Sequence, residues 1–176
     1  MTRALLTGLL ALLLVTGTAP AGADALRELN WAELIPADAP PEPPPLPLHA
    51  QTLADALAAA ESGPAALQQS PAAPVVQALD GQRIKLPGYV VPLDVNEDGN
   101  VTTFLFVPYL GACIHVPPPP SNQIVYIEHA DGVRLDALYQ PFWVEGTLHV
   151  EATHSELAQA GYRMRASKLY PYDTPD

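Results

Sequence analysis

Cysteine is nearly missing from this chain: Cys113 is the only one among 176 residues. A lone thiol rules out a disulfide framework, so the fold must be held by its own core. Cations are also scarce, with 8 Lys and Arg against 19 Asp and Glu, a formal charge of −11. A chain this acidic repels phosphate backbones and anionic surfaces, which argues against a nucleic-acid partner. Beyond the first 23 residues there is no apolar run of membrane-spanning length. Signatures for P-loops, dinucleotide binding, c-type haem, HExxH proteases and GxSxG hydrolases are all absent, so catalysis by a standard motif has no support.

What is present begins with an export pattern. Arg3 precedes the apolar stretch Leu5 to Val15, and Ala21-Gly22-Ala23 supplies small residues for cleavage. The stretch is shorter than the roughly 20 residues of a spanning helix. Residues 1–23 therefore read as a signal peptide, and the expected product is a soluble periplasmic protein that does not span the membrane. Loss of that segment removes Arg3 and no acid, leaving seven cations and 19 acids, enough chain for one domain.

Three further zones follow. Residues 24–50 form a proline-rich lead-in with Pro36, Pro40, Pro41, Pro43, Pro44, Pro45 and Pro47. Proline fixes φ and lacks an amide donor, so this zone favours extended geometry. Trp31, Leu34 and Ile35 within it have the spacing of a short helical turn and are expected to dock on the main domain. Residues 51–79 carry Leu53, Leu57 and Ala60 at helical spacing, which predicts short N-terminal helices. Residues 80–176 read as strands. Arg83–Pro92 and Thr102–Pro108 flank Asn96-Glu97-Asp98-Gly99-Asn100, the chemistry of a hairpin turn. Asp94 to Thr102 also matches the first half of a calcium loop, but Leu105 stands where the bidentate glutamate belongs.

Ile124–Glu128 predicts another strand, turned at Asp131-Gly132. Phe142 to Val150 alternates between an apolar and a polar face. Thr153 with Glu156 has capping-box spacing and predicts a short helix ended by Gly161. Tyr162, Met164 and Ala166 alternate in a last strand, and Gly88 and Gly146 suit sharp bends. The expected fold is mainly β, a small antiparallel barrel of oligonucleotide/oligosaccharide-binding type or a sandwich.

The constellation with most chemical content is Cys113-Ile114-His115, followed by Pro117 to Pro120. Thiolate and imidazole are the ligands that best hold zinc or copper(I), and residues two apart on an extended segment share a face. Two ligands do not complete a site, so His149 and His154 are added as metal candidates, with Glu145 and His129 as further donors. The same pair also admits a packed structural cysteine or a nucleophile with its base. Ser121-Asn122-Gln123 beyond the prolines has the chemistry to bond loop backbones.

The stretch Tyr109-Leu-Gly-Ala-Cys113-Ile-His115-Val-Pro-Pro-Pro-Pro-Ser-Asn-Gln123 resembles the signature of the bacterial exported family known as domain of unknown function 3299. Leu79 to Leu93 looks like that family's first strand pair, and Asn30 to Pro36 like its Trp-containing motif. The resemblance implies an exported, periplasmic or membrane-associated protein with no agreed activity. It implies association with ABC-type transport systems and, for some members, zinc limitation. Only Cys113 and His115 carry over on the motif. The resulting expectation is an accessory protein that binds a transition metal, zinc in the first instance, for a membrane transport system. The alternatives are a non-catalytic module that docks on an ABC-type transporter, with Cys113 structural, and a thiol-dependent enzyme.

Overall fold

The computed structural model describes residues 25–40, 67–68, 70–113 and 116–172. Six strands make one sheet: β1 (Arg27–Glu28), β2 (Arg83–Val95), β3 (Asn100–Val107), β4 (Val125–Arg134), β5 (Phe142–His149) and β8 (Tyr162–Pro171). The remaining strands, β6 (Thr153–His154) and β7 (Gln159–Ala160), form a separate hairpin. Hydrogen bonding runs β2-β3-β4-β8-β5 and returns to β2, closing a five-stranded barrel. The β4–β8 pair is parallel and the other barrel pairs are antiparallel. The fold is thus the expected small β-barrel, mixed rather than wholly antiparallel. Its strand order, with the third and fifth barrel strands parallel, is that of an oligonucleotide/oligosaccharide-binding barrel.

Alternation in sequence becomes inside and outside in space. Ile84, Leu86 and Val90 of β2 point inward with Phe104 and Phe106 of β3, Val144 and Leu148 of β5, and Tyr162 and Met164 of β8. β2 is long enough to pair with β5 over its first half and β3 over its second. At that changeover stands Gly88, where a Cβ would lie 2.7 Å from the Val107 carbonyl and 2.8 Å from the Phe106 ring. Only glycine admits this close approach.

The β2–β3 turn is the predicted hairpin. Asn96 accepts from the amides of Asp98 (3.1 Å) and Asn100 (2.9 Å) through its side-chain oxygen, and Gly99 takes φ +80°. That oxygen serves the turn, and the flanks are strands, as a hairpin requires.

Two expectations are corrected. Asp131-Gly132 does not end β4. Between the pairs Thr103–Glu128 and Val101–Val133, β4 advances five residues while β3 advances two. Residues 129–132 therefore form a bulge of four residues opposite Thr102, with Gly132 at φ +68°. The helix expected from Thr153 to Gly161 is instead the β6–β7 hairpin. Ser155 closes it by bonding both the amide (3.1 Å) and the carbonyl (2.7 Å) of Ala158, while the Thr153 hydroxyl bonds Glu151. Burial of Ala158 and Ala160 then holds the hairpin against the barrel. Of the helical segment predicted over 51–79, residues 51–66, which carry Leu53, Leu57 and Ala60, lie outside the described residues. The described part of that segment, 67–68 and 70–79, holds one 3-10 turn, Gln77–Leu79.

The Trp31 segment docks as expected. Asn30 and Glu33 form a capping box on the 3-10 turn Trp31–Leu34. Leu29 and Leu34 enter the core, and the Trp31 indole donates to the Pro87 carbonyl at 2.6 Å. Tyr162, wholly buried, ties two outer segments to the barrel: its hydroxyl donates to the Leu34 carbonyl and accepts from the Val76 amide, both at 2.7 Å.

Candidate functional site

The outer surface of the barrel divides into a covered face and an open one, and the candidate residues fall on both. Over β2, β3 and β4, a second apolar cluster forms outside the barrel from Val91, Leu105, Val107 and Ile124. Ala112 from the 108–124 loop and Ala158 and Ala160 from the hairpin complete it. Barrels of this topology commonly use this face for ligands. Here the chain's own loop and hairpin cover it.

The loop is held from below. Pro118, Pro119 and Pro120 are buried, which proline tolerates because it brings no amide that would need a partner. Gln68 donates to the Pro119 carbonyl at 2.8 Å. The polar triplet bonds neighbouring backbones, as its chemistry suggested. Ser121 accepts from the Ala73 amide at 2.9 Å, Asn122 donates to the Pro74 carbonyl at 2.8 Å, and Gln123 donates to the Trp31 carbonyl at 2.9 Å.

Cys113 sits at the far end of this loop. It has φ +66°, the left-handed region, and is the sole non-glycine there among the described residues. A side chain with a Cβ in that region costs roughly 1–2 kcal/mol. The thiol is half-buried and packs against the second cluster. Burial, which disfavours the charged thiolate, pushes its pKa from 9.0 up to about 11. His115 lies outside the described residues.

The other candidates separate. His154 ends β6 and lines a small recess of about 200 Å³ with Leu93, Asp94, Tyr126 and Glu156. Leu93 and Tyr126 also border the cluster that holds Cys113, so His154 stands at the margin of the covered face. His149 stands on the open face, exposed, with Nδ1 3.5 Å from Asp80 Oδ1. His129 is buried, its Nδ1 3.4 Å from the Ala166 carbonyl. The structure therefore does not bring His149 and Cys113 together. Among the described residues, no group of three or more His, Cys, Asp or Glu is arranged to hold one ion.

Glu145, the remaining donor candidate, is engaged elsewhere. It is 6% exposed, between Lys85 and Lys168 on the neighbouring strands. Burial works to raise its pKa, but the Tyr170 hydroxyl (2.9 Å) and the Lys168 ammonium (3.2 Å) outweigh that and hold it below the ordinary carboxylate value.

Beside the Cys113 loop lies a feature that sequence reading missed. A cleft of about 330 Å³ has Tyr89 to Pro92 as its floor, between Leu110-Gly111 and Leu138-Tyr139. Leu110 is 59% exposed and Tyr139 73%. Their separation by 29 positions hides the pairing, and the only signal in sequence was large apolar residues in segments with turn chemistry.

The family described as protein of unknown function (DUF3299) matches residues 31–171. The chain belongs to the DUF3299 family. A crystal structure of a DUF3299 protein from Pseudomonas aeruginosa PAO1, at 2.45 Å resolution, is 66% identical. It aligns over 86% of this chain and 99% of its own, with a TM-score of 0.74. No curated protein matches the chain. DUF3299 membership covers the barrel, the Trp31 turn and the Cys113 loop together.

Proposed function

We propose that this DUF3299 chain is a non-catalytic docking module of the bacterial cell envelope. In this reading it is exported to the periplasm and seats on a membrane transport assembly through the Leu110–Tyr139 cleft, with Cys113 as a packing residue. The observation that carries it is the contrast at the 108–113 loop: Leu110 faces outward beside Tyr139, while the thiol three residues on packs onto a covered apolar cluster. Large apolar side chains exposed around a cleft are the usual mark of a protein contact. A raised thiol pKa also weighs against a nucleophile at neutral pH. Export and the transport partner rest on the first 23 residues and on the family resemblance, as does the reading of Cys-x-His-x-Pro-Pro-Pro as a family signature.

A second reading keeps a transition metal, zinc first, at Cys113 with His115 and His154. It is favoured by the left-handed backbone at Cys113, because strain of that kind concentrates at functional positions.

Photo-crosslinking in cells tests the docking reading. A photoreactive residue at position 139 is expected to give a discrete adduct with a component of a membrane transporter, identified by mass spectrometry. The same probe at position 97, in the hairpin turn, is expected to give none. Leu110→Asp should abolish the adduct at 139. Equal adducts at both positions, or none at 139, would contradict the reading.

A further inference from the structure

The few cations of this acidic chain are not scattered. Cross-strand register aligns outward-facing residues in rows over β2, β5 and β8. Arg83 pairs with Thr147 and Thr147 with Arg165; Lys85 pairs with Glu145 and Glu145 with Lys168; His149 pairs with Arg163. Arg83, Lys85, Arg163, Arg165 and Lys168 thus share one open sheet face. They are five of the seven Lys and Arg that follow residue 23.

Acids meet them both at the edges of the face and within it. Glu28 contacts Lys85, Glu128 and Glu151 hold Arg163, and Glu145 is enclosed within the face. Glu128 also reaches Arg165 at 3.9 Å, and Lys168 meets Glu145 at 3.2 Å, yet the Arg165 and Lys168 side chains remain 86% and 66% exposed and keep donors open to solvent. The next row holds a proline and two aromatics: Pro87 pairs with Trp143 and Trp143 with Tyr170. Trp143 lies against Tyr172 at 4.9 Å between ring centroids, with the Lys85 ammonium 3.8 Å from its own.

We propose that this face rests on an anionic phospholipid surface, with Arg165 and Lys168 reaching phosphates and the Trp143 row lying at headgroup level. Two observations favour a bilayer over an acidic protein. The cations form consecutive rows on an open sheet face, and the adjoining row carries Trp143 and Tyr170, a pairing of basic and aromatic residues that suits a membrane interface. The net charge of −11 does not oppose this. Charges act across about 8 Å at physiological salt, so the acids that count are those in contact with the face: Glu28, Glu128, Glu145 and Glu151 against its five cations, with Asp80 beside His149. The surface adds to the docking reading and does not depend on it.

Vesicle flotation of the full chain tests the proposal. Phosphatidylcholine vesicles are compared with vesicles containing about two-fifths phosphatidylglycerol. The apolar run Leu5 to Val15 contributes alike to both, so the readout is the ratio of the two partition coefficients. The ratio is expected to exceed one and to fall as salt rises from about 0.1 to about 0.5 M. An Arg165→Gln/Lys168→Gln variant should lower it about 10- to 30-fold. An unchanged thermal unfolding midpoint would confirm that this variant folds. A ratio of one, a ratio insensitive to salt, or a folded double variant that matches the wild type would overturn the proposal. Binding of polyglutamate in place of anionic vesicles would also overturn it, assigning the face to an acidic protein.

Discussion

Tyr162→Phe is expected to destabilise the protein by about 2–4 kcal/mol, although it removes a single oxygen atom. The hydroxyl is buried in the barrel and holds two backbone groups, the Leu34 carbonyl and the Val76 amide. Each buried polar group left without a partner costs about 1–3 kcal/mol. The ring keeps its packing in phenylalanine, so the loss is assigned to the hydrogen bonds. For a chain of this size it should lower the unfolding midpoint by roughly 4–16 °C, measured by calorimetry. The effect should also be local. The Trp31 turn and the 70–79 segment depend on this hydroxyl, and their amides should exchange hydrogen faster than those of the strands. A shift under about 1 kcal/mol would mean that these segments are held by their apolar contacts alone.

Cys113 is expected to react with iodoacetamide at neutral pH at least about tenfold more slowly than an ordinary thiol. Raising the pKa from 9.0 to about 11 lowers the thiolate fraction about 100-fold. The more basic thiolate is intrinsically more nucleophilic, with a Brønsted slope near 0.4–0.5, which returns a factor of about 6–10. Partial burial subtracts further from the rate. The rate should reach that of an ordinary thiol in denaturant, where the surrounding cluster is gone. Folded protein that reacts as fast as a free thiol would show that the sulfur is exposed and activated, and the thiol-enzyme alternative would then lead.

Much of the barrel was legible because its determinants are local. Asn96 and Gly99 carry the first hairpin turn in their own side chain and dihedral. The alternation in Phe142–His149 and Tyr162–Ala166 reports which residues face inward. Closure was not legible. The β4–β8 pair joins strands whose paired residues lie 37 positions apart, and no local pattern encodes which strands meet in parallel. The β4 bulge and the β6–β7 hairpin misled for a related reason. Asp131-Gly132 and Thr153-x-x-Glu156 have turn and capping chemistry, but tertiary packing decides between chain reversal and bulge, or helix and hairpin.

Of the candidate site, only part could be read. The Cys113 loop and the polar triplet at 121–123 stood out by composition. The separation of His149 from Cys113 follows from barrel curvature, which places β5 and the 108–124 loop over different faces. The basic face was invisible for the same reason. Its five cations lie in two short segments that net charge averages away, and only strand register makes them neighbours.

The central claim is that Cys113 serves packing and not a metal. Native mass spectrometry of untagged full-length protein, purified in the presence of zinc, tests it most directly. The account predicts the same mass-resolved metal content for wild type and Cys113→Ala, with no stoichiometric ion that depends on the thiol. One zinc per chain that disappears in both Cys113→Ala and His115→Ala, with each variant still folded, would contradict it.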